Sequence, residues 1–181
     1  SVIREASPNP VYGPDGMVYP GICRNKNLPN VKNTAIRLNM AKAIQYLGGA
    51  DQVNLLSFID INNGSHEHFL NADQLLDNCG DFVLSRRDIG TAYHLAVVVD
   101  DAAQKITHIT RGKDLFEATK IHRILQALLA LPTPIYRHHR LILDDSGKRL
   151  AKRDDSRAIR KYRNEGATPQ DIREMVGLID R

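Results

Sequence analysis

Ile106-Thr-His-Ile-Thr-Arg-Gly112, then Asp114-Leu-Phe-Glu117 opening a helical stretch, then Ile135-Tyr-Arg-His-His-Arg-Leu-Ile-Leu143: the pattern that decides the fold runs through these residues. Residues 106–110 and 135–143 are apolar and β-branched enough for strands, and the segment between them repeats Leu115, Ala118, Ile121, Leu125 and Leu128 at helical spacing. Asp114 followed by Glu117 gives a capping-box-like start, and Pro132 predicts an end near Leu131. Alternating strands and helices from Thr91 onward are what βα units require, so the fold class is α/β. Residues 144–147 then form a turn that presents the basic segment Lys148 to Arg153.

Toward the amino terminus the chain is more heavily punctuated. Pro8, Pro10, Gly13, Pro14, Gly16, Pro20, Gly21 and Pro29 make the first thirty residues turn and loop. Residues 35–39 predict a short strand and 40–47 a helix stopped by Gly48 and Gly49. Residues 55–61 form an apolar strand ending in the turn residues Asn62, Asn63 and Gly64; 72–76 make a helical turn, and 82–87 another strand. Val97, Val98 and Val99 would make residues 95–99 a strand on β-branching alone. Toward the carboxyl terminus a charged helix over 156–164 stops at Gly166, and a new helix starts at Thr168-Pro169 with Asp171 at its third position.

Composition excludes several classes. No run of about 18 apolar residues exists, and the first residues lack the positive-then-apolar order of a signal peptide, so a soluble cytoplasmic protein with no membrane contact is expected. Cys23 and Cys79 stand far apart, against a disulfide-stapled fold and against a complete cysteine-built zinc site. Cys79 is expected to be a buried or half-buried thiol. His66 and His68, two apart with Glu67 between them, are read as solvent-exposed histidines in a polar loop rather than as a metal pair. The net charge is +4, but residues 137–163 alone carry ten Lys or Arg against four Asp, a local +6. Such a concentration suits phosphate or nucleic acid, with a solvated helix face as the ordinary alternative.

Four blocks in order carry a resemblance: Gly80-Asp-Phe-Val-Leu-Ser-Arg-Arg-Asp88, Tyr93-His-Leu-Ala-Val-Val-Val-Asp-Asp101, the Ile106 to Gly112 segment, and Arg149-Leu-Ala-Lys-Arg153. Together they resemble the glutamyl-tRNA synthetase family through most of residues 80–178, and more loosely back to Tyr19. The resemblance implies the second half of a class I synthetase Rossmann-like catalytic domain, with an inserted α+β subdomain and a short helical tail. Its divisions would be residues 1–90 for the inserted subdomain with a remnant zinc-site segment, 91–153 for the catalytic half ending in a KMSKS-like loop, and 154–181 for the tail. It also implies a helix over residues 93–101, with packing overriding the valines.

By the same resemblance Lys152 is the catalytic lysine that meets charge building on the phosphates as pyrophosphate leaves, and Arg149 joins it in binding ATP. The loop departs from the family pattern at Arg149, where a lysine usually stands, and at Ala151, where a serine does. Tyr93 and Arg111 match residues that hold the glutamate substrate, Arg111 being able to grip a carboxylate through two hydrogen bonds. On the residues alone, a core tyrosine and a surface-paired arginine would be the ordinary readings. His138 matches a histidine common before the loop, with Arg140 replacing the proline usual two positions later. Tyr19-Pro-Gly-Ile-Cys23 resembles the end of a zinc site. Tyr19 and Cys23 supply two of four tetrahedral positions, so an incomplete metal site is expected here and zinc in the complete protein only.

The HIGH signature that opens the family's ATP site is not found, so the chain is read as a carboxyl-terminal part that does not make an adenylate alone. Only 28 residues follow Arg153. That short tail, with the Tyr19 to Cys23 stretch, favours the glutamyl-Q branch, whose members attach glutamate to the queuosine base of tRNA(Asp). The resemblance thus implies ATP with Mg²⁺ as cofactors, L-glutamate and tRNA, with tRNA(Asp) favoured, as partners, and a monomer. The alternatives are a conventional glutamate–tRNA ligase charging tRNA(Glu) and a non-catalytic tRNA-binding paralogue.

Overall fold

The computed structural model describes residues 9–26, 34–88, 90–143, 147 and 159–178, in two units, Ser1–His139 and Arg140–Arg181. In the first unit a hairpin of β1 (Tyr12–Gly13) and β2 (Gly16–Met17) precedes β3 (Ile36–Arg37), α1 (Met40–Tyr46) and α2 (Ala50–Asn54). Next come β4 (Ser57–Asp60), β5 (His66–Phe69) and a short α3 (Ala72–Gln74) that widens into a π turn over Leu75–Cys79. β6 (Val83–Arg86), β7 (Gly90–Thr91), α4 (Tyr93–Ala103), β8 (His108–Gly112), a 3-10 turn over Lys113–Leu115, α5 (Phe116–Leu128) and β9 (Ile135–His139) complete it. The second unit holds α6 (Ile159–Asn164) and α7 (Pro169–Met175).

Three sheets result, and one positions the site. Its four strands lie in the order β5-β4-β9-β8, with β8, β9 and β4 parallel and β5 antiparallel at the edge. β8, α5 and β9 form the expected βαβ unit. β3, β6 and β7 make a separate three-stranded antiparallel sheet. The boundary expected at residue 90 falls inside the first unit, and the four-stranded sheet draws strands from both sides of it.

α5 lays Ile121, Ile124 and Leu125 into one core with Phe58 of β4, Tyr136 of β9, Val98 of α4, Leu75 and Phe82. Phe58 is the aromatic hub. Its ring meets Phe116 and Tyr136 edge-on, both at 5.6 Å between centroids, and stacks on His68 at 5.3 Å. The three valines sit in a helix, as the resemblance implied and β-branching did not: Val98 is buried, and burying its side chain outweighs a propensity deficit of about half a kcal/mol per residue.

Three local expectations are corrected. α5 starts at Phe116 with Leu115 as its N-cap and no side-chain cap, so the Asp114–Glu117 capping box does not form; Asp114 lies in the preceding 3-10 turn. His66 and His68 lie on strand β5 rather than in a loop, with His68 paired to Phe58 and half-buried by its stacking. The helical turn expected at 72–76 continues as a π turn to Cys79, ending at Gly80 with φ +57. The β1–β2 hairpin seats on that turn: a side chain at Gly13 would meet the Asn78 carbonyl oxygen at 1.7 Å, and one at Gly80 would meet Val18 at 2.7 Å.

Other expectations match. Asn63 and Gly64 make the turn after β4 with φ of 58 and 119. Cys79 is buried, and burial pushes its thiol up to about 11. In the second unit Thr168 and Asp171 form the capping box of α7 with Pro169 in its first turn, and the Arg140 guanidinium donates to the Val176 carbonyl. The basic segment 148–153 and the expected start of the charged helix at 156 lie outside the described residues; α6 is described from Ile159. No helix among the described residues is long and apolar enough to cross a membrane.

Truncating the hub tests the core. Phe58→Ala should lower the unfolding free energy by about 3–5 kcal/mol, read from urea midpoints. A loss below about 1 kcal/mol would mean that the sheet and α5 do not depend on this ring.

Candidate active site

The carboxyl ends of three parallel strands deliver three polar side chains to one place: Asp60 from β4, Arg111 from β8 and His138 from β9. Strand register brings them together, since Arg111 pairs directly with His138, and Asp60 with Tyr136. In parallel sheets this end is where ligands bind.

Arg111 is held by three acceptors, one per nitrogen. Its Nε donates to His138 Nε2 at 3.1 Å, Nη1 to His122 Nδ1 at 3.1 Å, and Nη2 to the Thr119 hydroxyl. The guanidinium also lies over the Tyr136 ring, 5.1 Å from its centroid. Thr119 and His122 face it from one side of α5, three residues apart, which is the spacing that stacks side chains on a helix.

Because a guanidinium only donates, it dictates the protons of its neighbours. His138 must accept at Nε2, so its proton sits on Nδ1 and goes to Asp60 Oδ2 at 2.9 Å. His122 must accept at Nδ1, so its Nε2–H goes to His94 Nδ1 at 3.0 Å. His94 then carries its proton on Nε2, which stands 3.3 Å from Asp15 Oδ1 as an ion-pair contact. Two chains therefore run from one cation to two carboxylates through imidazoles.

The pKa directions agree. Burial, and then the Arg111 charge, push His122 down to about 3. Burial also lowers His138, opposed by its bond to Asp60. For Asp60 burial acts upward, but hydrogen bonds from the Asn62 and His138 amides and the His138 ring prevail and hold it below the usual value. Asp15 is likewise lowered, burial being outweighed by the bonds from His94 and the Val83 amide. Burial lowers Arg111 too, without approaching neutrality.

Tyr93 opens α4 and is 53% exposed, so it is no core residue. Its side chain lies near Arg111, and its ring is 6.0 Å from that of His122. A cleft of about 510 Å³ lies along its other flank, lined by Asp15, Arg37, Arg86, Arg87, Asp88 and His94 among others.

Tyr93 and Arg111, singled out in the sequence, are thus brought together, and His138 joins them. Lys152, Arg149 and Ala151 lie outside the described residues. Tyr19 and Cys23 meet elsewhere: the Tyr19 hydroxyl accepts the Cys23 amide at 2.8 Å, and Arg37 covers the Tyr19 ring at 4.6 Å. They offer two donors against the four of a structural zinc, and no group of three or more metal-ligating side chains occurs among the described residues. The sequence reading missed Asp60, His94, Thr119, His122 and Asp15. A signal existed for two of them, since Thr119 and His122 fall on the apolar face of α5.

A family model described as tRNA synthetases class I (E and Q), catalytic domain, matches residues 68–180. The chain belongs to this family. It is 52% identical, over 98% of its length, to a glutamyl-Q tRNA(Asp) synthetase of Rhodobacter capsulatus, and 36% identical over 85% of its length to one of Geobacter sulfurreducens. It spans 62% and 44% of those relatives' lengths. Among solved structures it resembles a glutamate tRNA ligase of Elizabethkingia meningosepticum in complex with its amino acid, with TM-score 0.50 and 26% identity over 82% of this chain and 28% of that one. In this family member the guanidinium is fixed at the carboxyl ends of parallel strands, the end of such a sheet where ligands bind.

The His122 shift fixes a sign for pH. Between about pH 3 and 6.5 the unfolded chain binds a proton at His122 that the folded chain refuses, so stability rises with pH through that window and is fully present above it. His138 adds in the same direction, whereas Asp60 and Asp15 act only below the ordinary carboxylate value of 3.8. Urea midpoints measured from pH 4.5 to 7 should climb in the parent protein and climb less steeply in His122→Gln. Equal slopes would remove His122 as a source.

Proposed function

We propose that the complete protein to which this chain contributes activates glutamate with ATP and transfers it to the queuosine base of tRNA(Asp). The observation that carries the reading is Arg111, a guanidinium fixed by three neutral acceptors beside the half-exposed Tyr93. Those acceptors take one N–H from each nitrogen and leave one on each of the two terminal nitrogens, a fork suited to a carboxylate. On ligand entry the Tyr93 hydroxyl would donate toward the ligand.

With one carboxylate of glutamate held there, the other attacks the α-phosphorus of ATP, forming an acyl–phosphate bond and releasing pyrophosphate. The Lys152 ammonium meets the charge that builds on the phosphate oxygens, with Arg149 binding the same nucleotide. Mg²⁺ would neutralise phosphate charge in the complete site. Tyr19 and Cys23 would provide two of the four donors of a zinc site in the complete protein. The choice of tRNA(Asp) is supported by the names of the relatives from Rhodobacter capsulatus and Geobacter sulfurreducens. The local charge of +6 over residues 137–163 suits the tRNA backbone.

A second reading is favoured by the solved structure of a glutamate tRNA ligase that the chain resembles, and would make tRNA(Glu) the acceptor. Labelled glutamate supplied with tRNA(Asp) containing queuosine, tRNA(Asp) lacking it, and tRNA(Glu) separates the two. Label on the first alone supports the modifying enzyme, and label on tRNA(Glu) supports the ligase. No glutamate-dependent ATP–pyrophosphate exchange at all would leave a non-catalytic tRNA-binding paralogue.

Variants separate the roles. Arg111→Lys keeps a charge but loses the fork, and should raise KM for glutamate by about tenfold or more, as the loss of a bidentate contact does. Lys152→Ala should cut exchange by at least about a hundredfold, as loss of a transition-state charge contact does, with KM for glutamate nearly unchanged. Equal effects of Lys152→Ala on both quantities would contradict its assignment.

A further inference from the structure

We propose that Asp15, in the turn of the β1–β2 hairpin, together with His94, is a positioning residue for Arg111: it sets the direction of the hydrogen bonds that hold the guanidinium without touching either it or the substrate. The inference rests on the reading of Arg111 as the carboxylate grip.

The argument is one of proton order. Arg111 Nη1 needs a lone pair on His122 Nδ1, and this places the His122 proton on Nε2. That proton needs a lone pair on His94 Nδ1, 3.0 Å away, which places the His94 proton on Nε2. His94 is 6% exposed, and the carboxylate that faces its Nε2 is Asp15, with Oδ1 at 3.3 Å. Without that acceptor the opposite order becomes competitive. His94 would carry its proton on Nδ1 and face the His122 Nε2–H donor to donor, and relief of that clash moves the His122 proton onto Nδ1, against Arg111. A choice made at Asp15 is thereby delivered to the guanidinium through two rings.

The hairpin is built to hold Asp15 in place. Asp15 Oδ2 accepts the Val83 amide at 3.3 Å, which ties the turn to β6. Gly13 lets the hairpin backbone approach the Asn78 carbonyl, where any Cβ would clash at 1.7 Å, and Gly16 takes φ +90 at the exit of the turn. The companion branch through His138 ends at Asp60 within the sheet itself, so the hairpin is the one support of Arg111 among the described residues that comes from the amino-terminal segment.

The test uses the complete protein with selectively ¹⁵N-labelled histidine, plus steady-state ATP–pyrophosphate exchange. In the parent protein His94 and His122 should both be Nε2–H tautomers and His138 an Nδ1–H tautomer; an Nδ1–H tautomer at His94 or His122 overturns the proposal whatever the variants do. Asp15→Ala should raise KM for glutamate about tenfold, the scale on which outer groups that orient a site residue act, while KM for ATP moves less than about twofold. It should also shift the His94 and His122 ring-nitrogen signals. Asp15→Asn, whose side-chain oxygen still accepts from His94, should recover most of the glutamate affinity, and a structural role alone would not give that rescue with matched urea midpoints. Arg111→Ala is run alongside. If it leaves KM for glutamate unchanged, the carboxylate grip is wrong; if it raises KM while Asp15→Ala does not, the grip stands and the relay falls.

Discussion

A guanidinium taken largely out of water must find acceptors, and the way Arg111 finds them organises the first unit. A direct carboxylate partner would satisfy it and also neutralise it. Here its hydrogen-bond acceptors are neutral: two imidazoles and a threonine hydroxyl, with the Tyr136 ring beneath. Asp101 acts on it through its charge, and Asp60 and Asp15 stand one and two rings away. Burial of the ion is offset by hydrogen bonding and by charge at a distance, while its field stays available to an anion arriving from the Tyr93 side.

This arrangement needs His122 and His138 to accept from Arg111 as neutral rings, and the fold favours that form in both. His122 is enclosed by α4, α5 and the guanidinium, and its depressed pKa follows from burial first and the neighbouring cation second. His138 is stacked on Tyr136, with rings 11° from parallel, and meets Phe116 edge-on. The aromatic core around Phe58 and the polar site are thus two faces of the same side chains. His138, Phe116 and Tyr136 belong to both, so core packing fixes the rotamers on which the hydrogen bonds depend.

The βαβ unit, its helix boundaries to within a few residues and the helix start at Thr168-Pro169 were legible in the sequence because local pattern decides them. Tyr93 and Arg111 became legible only through the family blocks, since an isolated tyrosine and arginine carry no signal of their own. The parallel pairing of β4 with β9 was not legible: it joins Asp60 to residues 76 and more positions away, and no local propensity records such a contact. The buried histidines were hidden for another reason. An imidazole on an apolar helix face reads as either tolerated or exposed, and only the guanidinium it faces shows that it is an acceptor. His68 was misjudged on similar grounds, because a polar His-Glu-His run can still make an edge strand when its other face is aromatic.

The same geometry bears on how the chain is divided. Divided at residue 90, a catalytic half that starts at 91 would leave Arg111 with His138, His122 and Thr119 but remove both terminal carboxylates, because Asp60 and Asp15 precede that point. The histidines that accept from the guanidinium would then lack the carboxylates that face their far N–H groups. On this view the hairpin and β4 are not accessories to the βαβ unit. They supply the negative ends of the two chains through which Arg111 is held, so the segment that fixes this guanidinium runs from Asp15 to His138.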